Sequence, residues 1–211
     1  MSFYTRQIFP RLLDFAMRHR EFTRYRERIV PQARGIVLEV GVGSGLNLPF
    51  YGSSVERLYA LDPSEELLRM TGRKMEAAPF PVELMPQSAE SLPLADQSID
   101  TVVTTFTICS IGEPLQALRE MRRVLRPGGR LLFAEHGLAP ESSVQRWQHR
   151  LNPLWHAISG GCNLDRDMST LIRTAGFSIT EITTAYARGP RALAYVYSGC
   201  AAPMDLAAPL S

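Results

Sequence analysis

The stretch Glu39-Val40-Gly41-Val42-Gly43-Ser44-Gly45 decides the fold, because it puts a glycine-rich turn directly behind the short apolar run of residues 36–40. A strand that runs into such a turn is where an open parallel sheet binds its ligand. Glycine is needed there because the chain turns sharply and its backbone must come against the ligand with no side chain between. The spacing is GxGxG. A dinucleotide fingerprint needs its third glycine at position 46, which is Leu46. Glu39 is also a poor neighbour for a pyrophosphate and a good one for a cationic ligand. Asp62 closes a second apolar run, residues 57–61, and lies 17 residues beyond Gly45. An acid in that place accepts hydrogen bonds from both hydroxyls of a ribose. Read alone, Asp62 is equally a surface residue of a strand-to-helix turn; in register with the glycines it reads as a ribose acceptor.

Working outward, the pattern alternates. Residues 10–30 set Leu12, Phe15, Ala16, Phe22 and Ile29 at helical spacing among arginines, an amphipathic helix that serves as lid or flank. After Asp62 and Pro63, Ser64 caps an acidic first turn, Glu65-Glu66, of a helix reaching about residue 76. Strands follow at 81–85 and 99–106, joined by a polar stretch, and then a helix marked by Leu115, Leu118, Met121, Val124 and Leu125. Pro127-Gly128-Gly129 should end it and open a strand over 130–135. Beyond His136 come a helical segment to residue 158, a short helix over 166–174, and strands at 177–186 and 192–198 joined as a hairpin through Arg188-Gly189-Pro190. The expected fold is α/β and Rossmann-like: a seven-stranded, mostly parallel sheet with helices on both faces and a C-terminal antiparallel hairpin. One domain is expected, with residues 1–34 as N-terminal helix or lid, 35–136 as the cofactor-binding core, 137–200 on the acceptor side and 201–211 as a frayed tail.

Composition narrows the function classes. The 211 residues are 45% hydrophobic and carry a net charge of +2, so nothing global calls for a nucleic-acid partner. Arg18, Arg20, Arg24, Arg26, Arg28 and Arg34 crowd the N-terminal region and read as a solvated helix face. Cys109, Cys162 and Cys200 lack the paired spacings of a zinc site or a disulfide framework, which fits a reducing, cytoplasmic setting and no metal. Charge interrupts the N-terminal segment every few residues, so no integral membrane segment is expected.

The strings VLEVGVGSGLNLPFY, ALDPSEELL, AESLPLADQSIDTVV and EMRRVLRPGGRLLFAEH, over about residues 36–136, resemble in order the motifs of class I S-adenosylmethionine (SAM) dependent methyltransferases of the ubiquinone-biosynthesis type. The resemblance implies SAM as cofactor, with Glu39, Gly41, Gly43, Gly45, Asp62 and Pro63 around its methionyl and ribose parts. It sets Ala89, between Ser88 and Glu90, along the adenine, and Thr105 with the residues to Cys109 beside the methionine. Ser88 departs from the family's usual Asp.

In FTICSI, EHGLAPESS, LNPLWHAISGGCNLDRD and the closing hairpin the chain also resembles the alkyl-thiol S-methyltransferases of the methyltransferase-like group. The resemblance implies a small-molecule acceptor, a thiol or sulfide. The hydrophobic anchor of the vertebrate members has no counterpart in the sequence, so membrane residence is not carried over. A thiol needs help to deprotonate, or a locally positive site. His136, His156, Asp165 and Arg166 are the candidates for that work. Each also has a plain reading: a strand-end histidine for His136, and a helix cap with its solvated neighbour for Asp165 and Arg166. Trp147 and Trp155 read as packing, and Cys109 and Cys162 as small buried hydrophobes. Two alternatives remain open at this point. One is N-, O- or C-methylation of a lipid or quinone precursor, with the arginine-rich helix making peripheral membrane contact. The other is a non-catalytic SAM-binding module.

Overall fold

Alternation along the strands explains why the sheet is buried on both sides. The computed structural model describes residues 9–204. In β1 (Gly35–Val40), Leu38 and Val40 join one apolar cluster while Val37 joins a second. In β5 (Leu125–His136), Leu131 and Phe133 divide from Leu132 and Ala134 in the same way. Successive side chains of a strand point to opposite faces, so the two clusters lie on opposite faces of one sheet. Helices α4 (Pro114–Val124) and α6 (Met168–Thr174) contribute to the first cluster; Ile29 of α2 (Arg20–Ile29) and Leu68 of α3 (Glu65–Met75) contribute to the second.

With β2 (Val55–Leu61), β3 (Val82–Met85), β4 (Ile99–Thr105), β6 (Phe177–Tyr186) and β7 (Tyr195–Pro203), the sheet has seven strands in the order β3-β2-β1-β4-β5-β7-β6. Strands β1 to β5 pair in parallel and β7 pairs antiparallel with both β5 and β6. The expected fold is the observed one. Order reverses between β1 and β4, whose C-terminal ends open the crevice where such sheets bind ligands.

Local departures have local causes. The expected helix over 10–30 is two, α1 (Phe9–Met17) and α2, because His19 is extended (φ −59°, ψ 141°) and its ring accepts the Glu21 N–H. Buried Arg26 then reaches back to the Met17 carbonyl at 2.8 Å, which caps α1. No full helix follows the glycine turn: Leu48–Phe50 is a single 3₁₀ turn, and Pro49 withholds a backbone donor. Pro127-Gly128-Gly129 does not precede β5 but bulges within it, as the register jumps from Ile99↔Leu125 to Thr101↔Arg130. Helix α5 (Ser142–Ile158) accommodates Pro153, and the hairpin connection holds one helical turn, α7 (Arg191–Ala194). The last strand runs on through Pro203 with Ala201 fully buried, so the fraying expected from residue 201 does not begin there. The rest of the tail and residues 1–8 lie outside the described residues. Among the described residues no helix is long and apolar enough to cross a membrane.

Candidate active site

The glycine turn and the ends of β2, β4 and β5 line one cavity of about 700 Å³. Gly41, Gly43 and Gly45 all have positive φ (74°, 57° and 74°), a region that side chains reach only at a cost. A Cβ on Gly41 would fall 2.2 Å from Thr107 Oγ1, whereas one on Gly43 would meet no atom within 4 Å. The first glycine lets the turn close on the loop after β4, and the second leaves its backbone bare toward the cavity. Asp62 fixes the turn from β2, with its carboxylate accepting N–H bonds from Gly43 (3.0 Å) and Ser64 (2.8 Å). A carboxylate has about four lone-pair sites, so both oxygens retain acceptor capacity where Asp62 borders the cavity. Burial raises the Asp62 pKa, and the two backbone bonds oppose that rise.

Glu39 sits behind the turn and is absent from the cavity wall. It is 1% exposed and accepts from Asn47 Nδ2 at 2.9 Å and the Tyr51 hydroxyl at 2.7 Å. Burial pushes its pKa up to about 7 against those two bonds and the charge of Arg26. The residue it presents to the cavity is Asn47, whose amide also donates to Thr105 Oγ1 at 3.0 Å. Asn47 Oδ1 is buried without a donor. A methionyl ammonium supplies that donor, and the bare glycine backbone and Asp62 suit the rest of SAM. The residues present therefore fit the cofactor. Pro63, Ser88, Ala89, Glu90 and Thr105 line the same cavity, whereas Gly45 does not.

Helix α1 packs against the turn. Asp14 of α1 is 8% exposed and accepts hydrogen bonds from the Ser44 hydroxyl and from Arg18, which with the nearby Lys74 ammonium hold its pKa down against burial. Lys74 donates to the Ser44 carbonyl. Arg26, 4% exposed, lines the cavity from α2. Sequence reading passed over Asp14 and Asn47 and took Arg26 for part of a solvated helix face, whereas Arg26 is buried and lines the cavity.

Beyond the cofactor groups the cavity wall turns aromatic and sulfur-rich. Phe22, Phe106, His136, Trp155, Cys109 and Cys162 border it. Phe106 has φ +57°, an uncommon conformation for a bulky residue, and packs against Phe22 and His136 with ring centroids 4.9 and 5.2 Å away. Fully buried Glu135 holds that loop in place by accepting from the Thr104 hydroxyl and from the N–H groups of Thr107 (3.1 Å) and Cys109 (3.3 Å). The Cys109 and Cys162 sulfurs are 3.4 Å apart, and Cys162 Sγ is 3.8 Å from His136 Nδ1. The shared contact draws the Cys162 thiol down and drives Cys109 up, with His136 adding to the effect on Cys162.

Of the four residues expected to serve catalysis, only His136 lines the cavity. Asp165 pairs with His149 at 3.0 Å on the flank of α5. Arg166 donates to the Ile108 carbonyl, fastening the loop after β4 from behind. His156 approaches Gly161, through a backbone bond from the Gly161 N–H to its carbonyl, and not the cavity. Sequence reading took Cys109 and Cys162 for packing and left Trp155 on the same footing. All three border the cavity.

A seven-stranded sheet of this order, with a glycine turn after β1 and an acid at the end of β2, is the frame of a SAM-binding class I methyltransferase. Comparison with known proteins agrees. Residues 38–133 match the family model described as "Methyltransferase domain". A human thiol S-methyltransferase is 36% identical over 171 residues, 78% of this chain and 69% of that protein. A phosphatidylethanolamine N-methyltransferase of Cereibacter sphaeroides is 36% identical over 132 residues, 58% of this chain and 64% of its own length. The chain thus spans about two thirds of the length of these curated relatives. Among solved structures, a Burkholderia thailandensis 1,6-didemethyltoxoflavin N1-methyltransferase superposes with a TM-score of 0.67 over 93% of this chain and 84% of that one; at 15% identity this likeness concerns the fold. The chain belongs to the class I SAM-dependent methyltransferases, and SAM is its cofactor.

Proposed function

We propose that the enzyme methylates a small thiol or sulfide in the cytoplasm. The observation that carries this reading is the wall of the acceptor end, built from Phe22, Phe106, Trp155, Cys109 and Cys162 around a single imidazole, His136. A thiolate is large, polarisable and weakly hydrated, so an apolar, aromatic chamber desolvates it at small cost. Sulfur at an aromatic ring edge gains contact energy as well. The human relative's name, thiol S-methyltransferase, supports the same acceptor class.

When bound, SAM supplies an electrophilic methyl group on a sulfonium. Asp62, the bare backbone at Gly43 and Asn47 would hold its ribose and methionyl parts, and Ala89 would flank the adenine. Helices α1 and α2 exclude water, since Asp14 ties α1 to Ser44 of the turn. Glu135 and Arg166 keep the loop bearing Phe106 and Cys109 in one geometry, which alignment of an in-line displacement requires. His136 is placed to take the acceptor's proton.

The test is an acceptor screen with purified protein and SAM, following S-adenosylhomocysteine and the methylated product across hydrogen sulfide, alkyl thiols, amines and quinols. S-methyl products from the thiol arm are expected. Turnover confined to amines or quinols would overturn the reading, and turnover of any acceptor rejects a purely cofactor-binding module. One observation favours a second acceptor class. Leu12 of α1 and Ile158 of α5 border the cavity at 53 and 60% exposed, and Phe15 and Leu154 of the same helices are 79 and 65% exposed, apolar surface suited to a lipid or quinone precursor. Co-sedimentation with liposomes that is lost in Phe15→Glu would support that class; no sedimentation would count against it.

A further inference from the structure

We propose that Cys109, His136 and Cys162 form a binding site for a thiophilic divalent cation such as zinc, with one coordination position open to the acceptor cavity. The three residues come from different parts of the chain: the loop after β4, the end of β5, and the segment between α5 and α6. Their ligand atoms nevertheless lie within 4.8 Å of one another. Zinc binds sulfur at about 2.3 Å and imidazole nitrogen at about 2.0–2.1 Å, so tetrahedral ligands stand about 3.8 Å apart for two sulfurs and about 3.6 Å apart for sulfur and nitrogen. The observed 3.4 Å between the sulfurs and 3.8 Å from Cys162 to His136 need shifts of a few tenths of an ångström, and the third pair, Cys109 and His136, which lies within 4.8 Å, closes by at most about 1.2 Å.

The support around these ligands is that of a preorganised site. Glu135 takes the Cys109 N–H, and Asn163 Nδ2 donates to the Cys109 carbonyl at 3.0 Å and to the Gly161 carbonyl at 2.9 Å, which ties the two cysteine-bearing segments together. Phe22 and Phe106 pack edge-on or tilted against the His136 ring. Metal sites owe much of their affinity to such outer contacts. Cys109 and Cys162 are 1 and 7% exposed, yet both border the cavity, as does His136. Three protein ligands with an open fourth position facing a substrate cavity is the arrangement of a zinc site that works on substrate, whereas structural sites are closed by four. Loading the cation displaces the two cysteine protons to solvent. On the thiol reading above, the acceptor thiol takes the fourth position as thiolate and releases its own proton to water, so in the loaded protein His136 is a ligand and the base role given to it above belongs to the metal-free protein.

Cobalt(II) alone is the probe, added anaerobically to the reduced, full-length, metal-free protein. The expected result is one equivalent bound, with a thiolate-to-cobalt charge-transfer band and the visible absorption of tetrahedral cobalt. Cys109→Ser and Cys162→Ser should each lose about half of that band while keeping the wild-type circular dichroism. A readout on unaltered protein guards against variants that fail to fold: one equivalent of zinc should protect two of the three thiols from Ellman's reagent, leaving partly exposed Cys200 reactive. Absence of the charge-transfer band together with three thiols reacting alike with and without zinc would overturn the site. So would a Cys109–Cys162 disulfide that, once reduced, binds no cobalt. Ethanethiol should strengthen the charge-transfer band as a third thiolate enters; an unchanged spectrum overturns the open position. Thiol methylation with the same kinetics in metal-free protein would remove the cation from the reaction and leave the proposed function standing. A cobalt site in a protein that methylates no thiol would do the reverse.

Discussion

Replacing Asp62 with alanine tests the cofactor assignment and divides into two separable losses. The first is in the free protein. The Asp62 carboxylate holds the Gly43 and Ser64 N–H groups, and Asp62→Ala leaves both without that acceptor. Water from the cavity replaces part of each bond, so the stability loss should be about 1–2 kcal/mol in urea unfolding. The second is in the complex. If the remaining acceptor sites take both ribose hydroxyls, hydrogen bonds to a charged group at about 1.5–3 kcal/mol each set the gross scale. Part of that is offset because burial already disfavours the Asp62 charge. A net loss of about 2–4 kcal/mol follows, or about 30- to 1,000-fold in Kd for SAM or S-adenosylhomocysteine by calorimetry. A cycle with 2′,3′-dideoxy S-adenosylhomocysteine isolates the ribose part: wild type and variant should bind this analogue with nearly equal affinity. Retention of SAM affinity within threefold in Asp62→Ala would refute the assignment. An undiminished loss with the dideoxy analogue would assign Asp62 to holding the turn alone.

Gly41→Ala should cost about 1–2 kcal/mol for the left-handed backbone and about 1–3 kcal/mol for overlap with Thr107, measured by urea unfolding. Thr107→Gly should recover the overlap portion only, and a wild-type midpoint in Gly41→Ala would contradict the packing described. Glu39 is raised from 4.5 to about 7 in the folded protein, so folding binds a proton between those values and Glu39's contribution falls as pH rises from about 4.5 to 7, then levels. The stability difference between wild type and Glu39→Gln should shrink by about 3 kcal/mol across that window in the cofactor-free protein; a difference independent of pH would show that Glu39 titrates normally. Asp165→Asn should keep kcat/KM within about twofold, since its partner is His149 on the flank of α5. A tenfold fall would return Asp165 to the chemistry.

The cofactor half was legible because its signals are local. Gly41, Gly43 and Gly45 are required by backbone angles set within a few residues, and Asp62 lies at a fixed interval from them along a parallel strand pair. Periodicity likewise found β1 to β5 and the helices between them, and missed where tertiary contacts intervene. Arg26 folding back on Met17 makes two helices from one apolar stripe, and β5 absorbs Pro127-Gly128-Gly129 as a bulge because β4 supplies a partner on both sides of it. Glu39 shows the limit within the motif itself. An acid beside the turn reads as a ligand for a cation, yet Tyr51 and Asn47 occupy both its oxygens, and the group at the cavity is the Asn47 amide.

The proposed acceptor end is assembled across the chain, and no spacing rule describes it. Cys109 and Cys162 are 53 positions apart, and their sulfurs meet because β4 and β5 end side by side while α5 returns the chain over them. Residue type alone pointed the other way: an isolated cysteine in an apolar string is a small hydrophobe, and Asp165 beside Arg166 has the look of a charged pair in a site. The structure inverts that ranking through contacts. Arg166 reaches the Ile108 carbonyl and Asp165 reaches His149, so both are satisfied outside the cavity, whereas the two thiols and the His136 imidazole share one corner of its wall. Substituting Arg166 should therefore act through the loop that carries Cys109, with loss of thiol pairing and activity together. Substituting Cys162 should alter the corner directly and leave the loop in place.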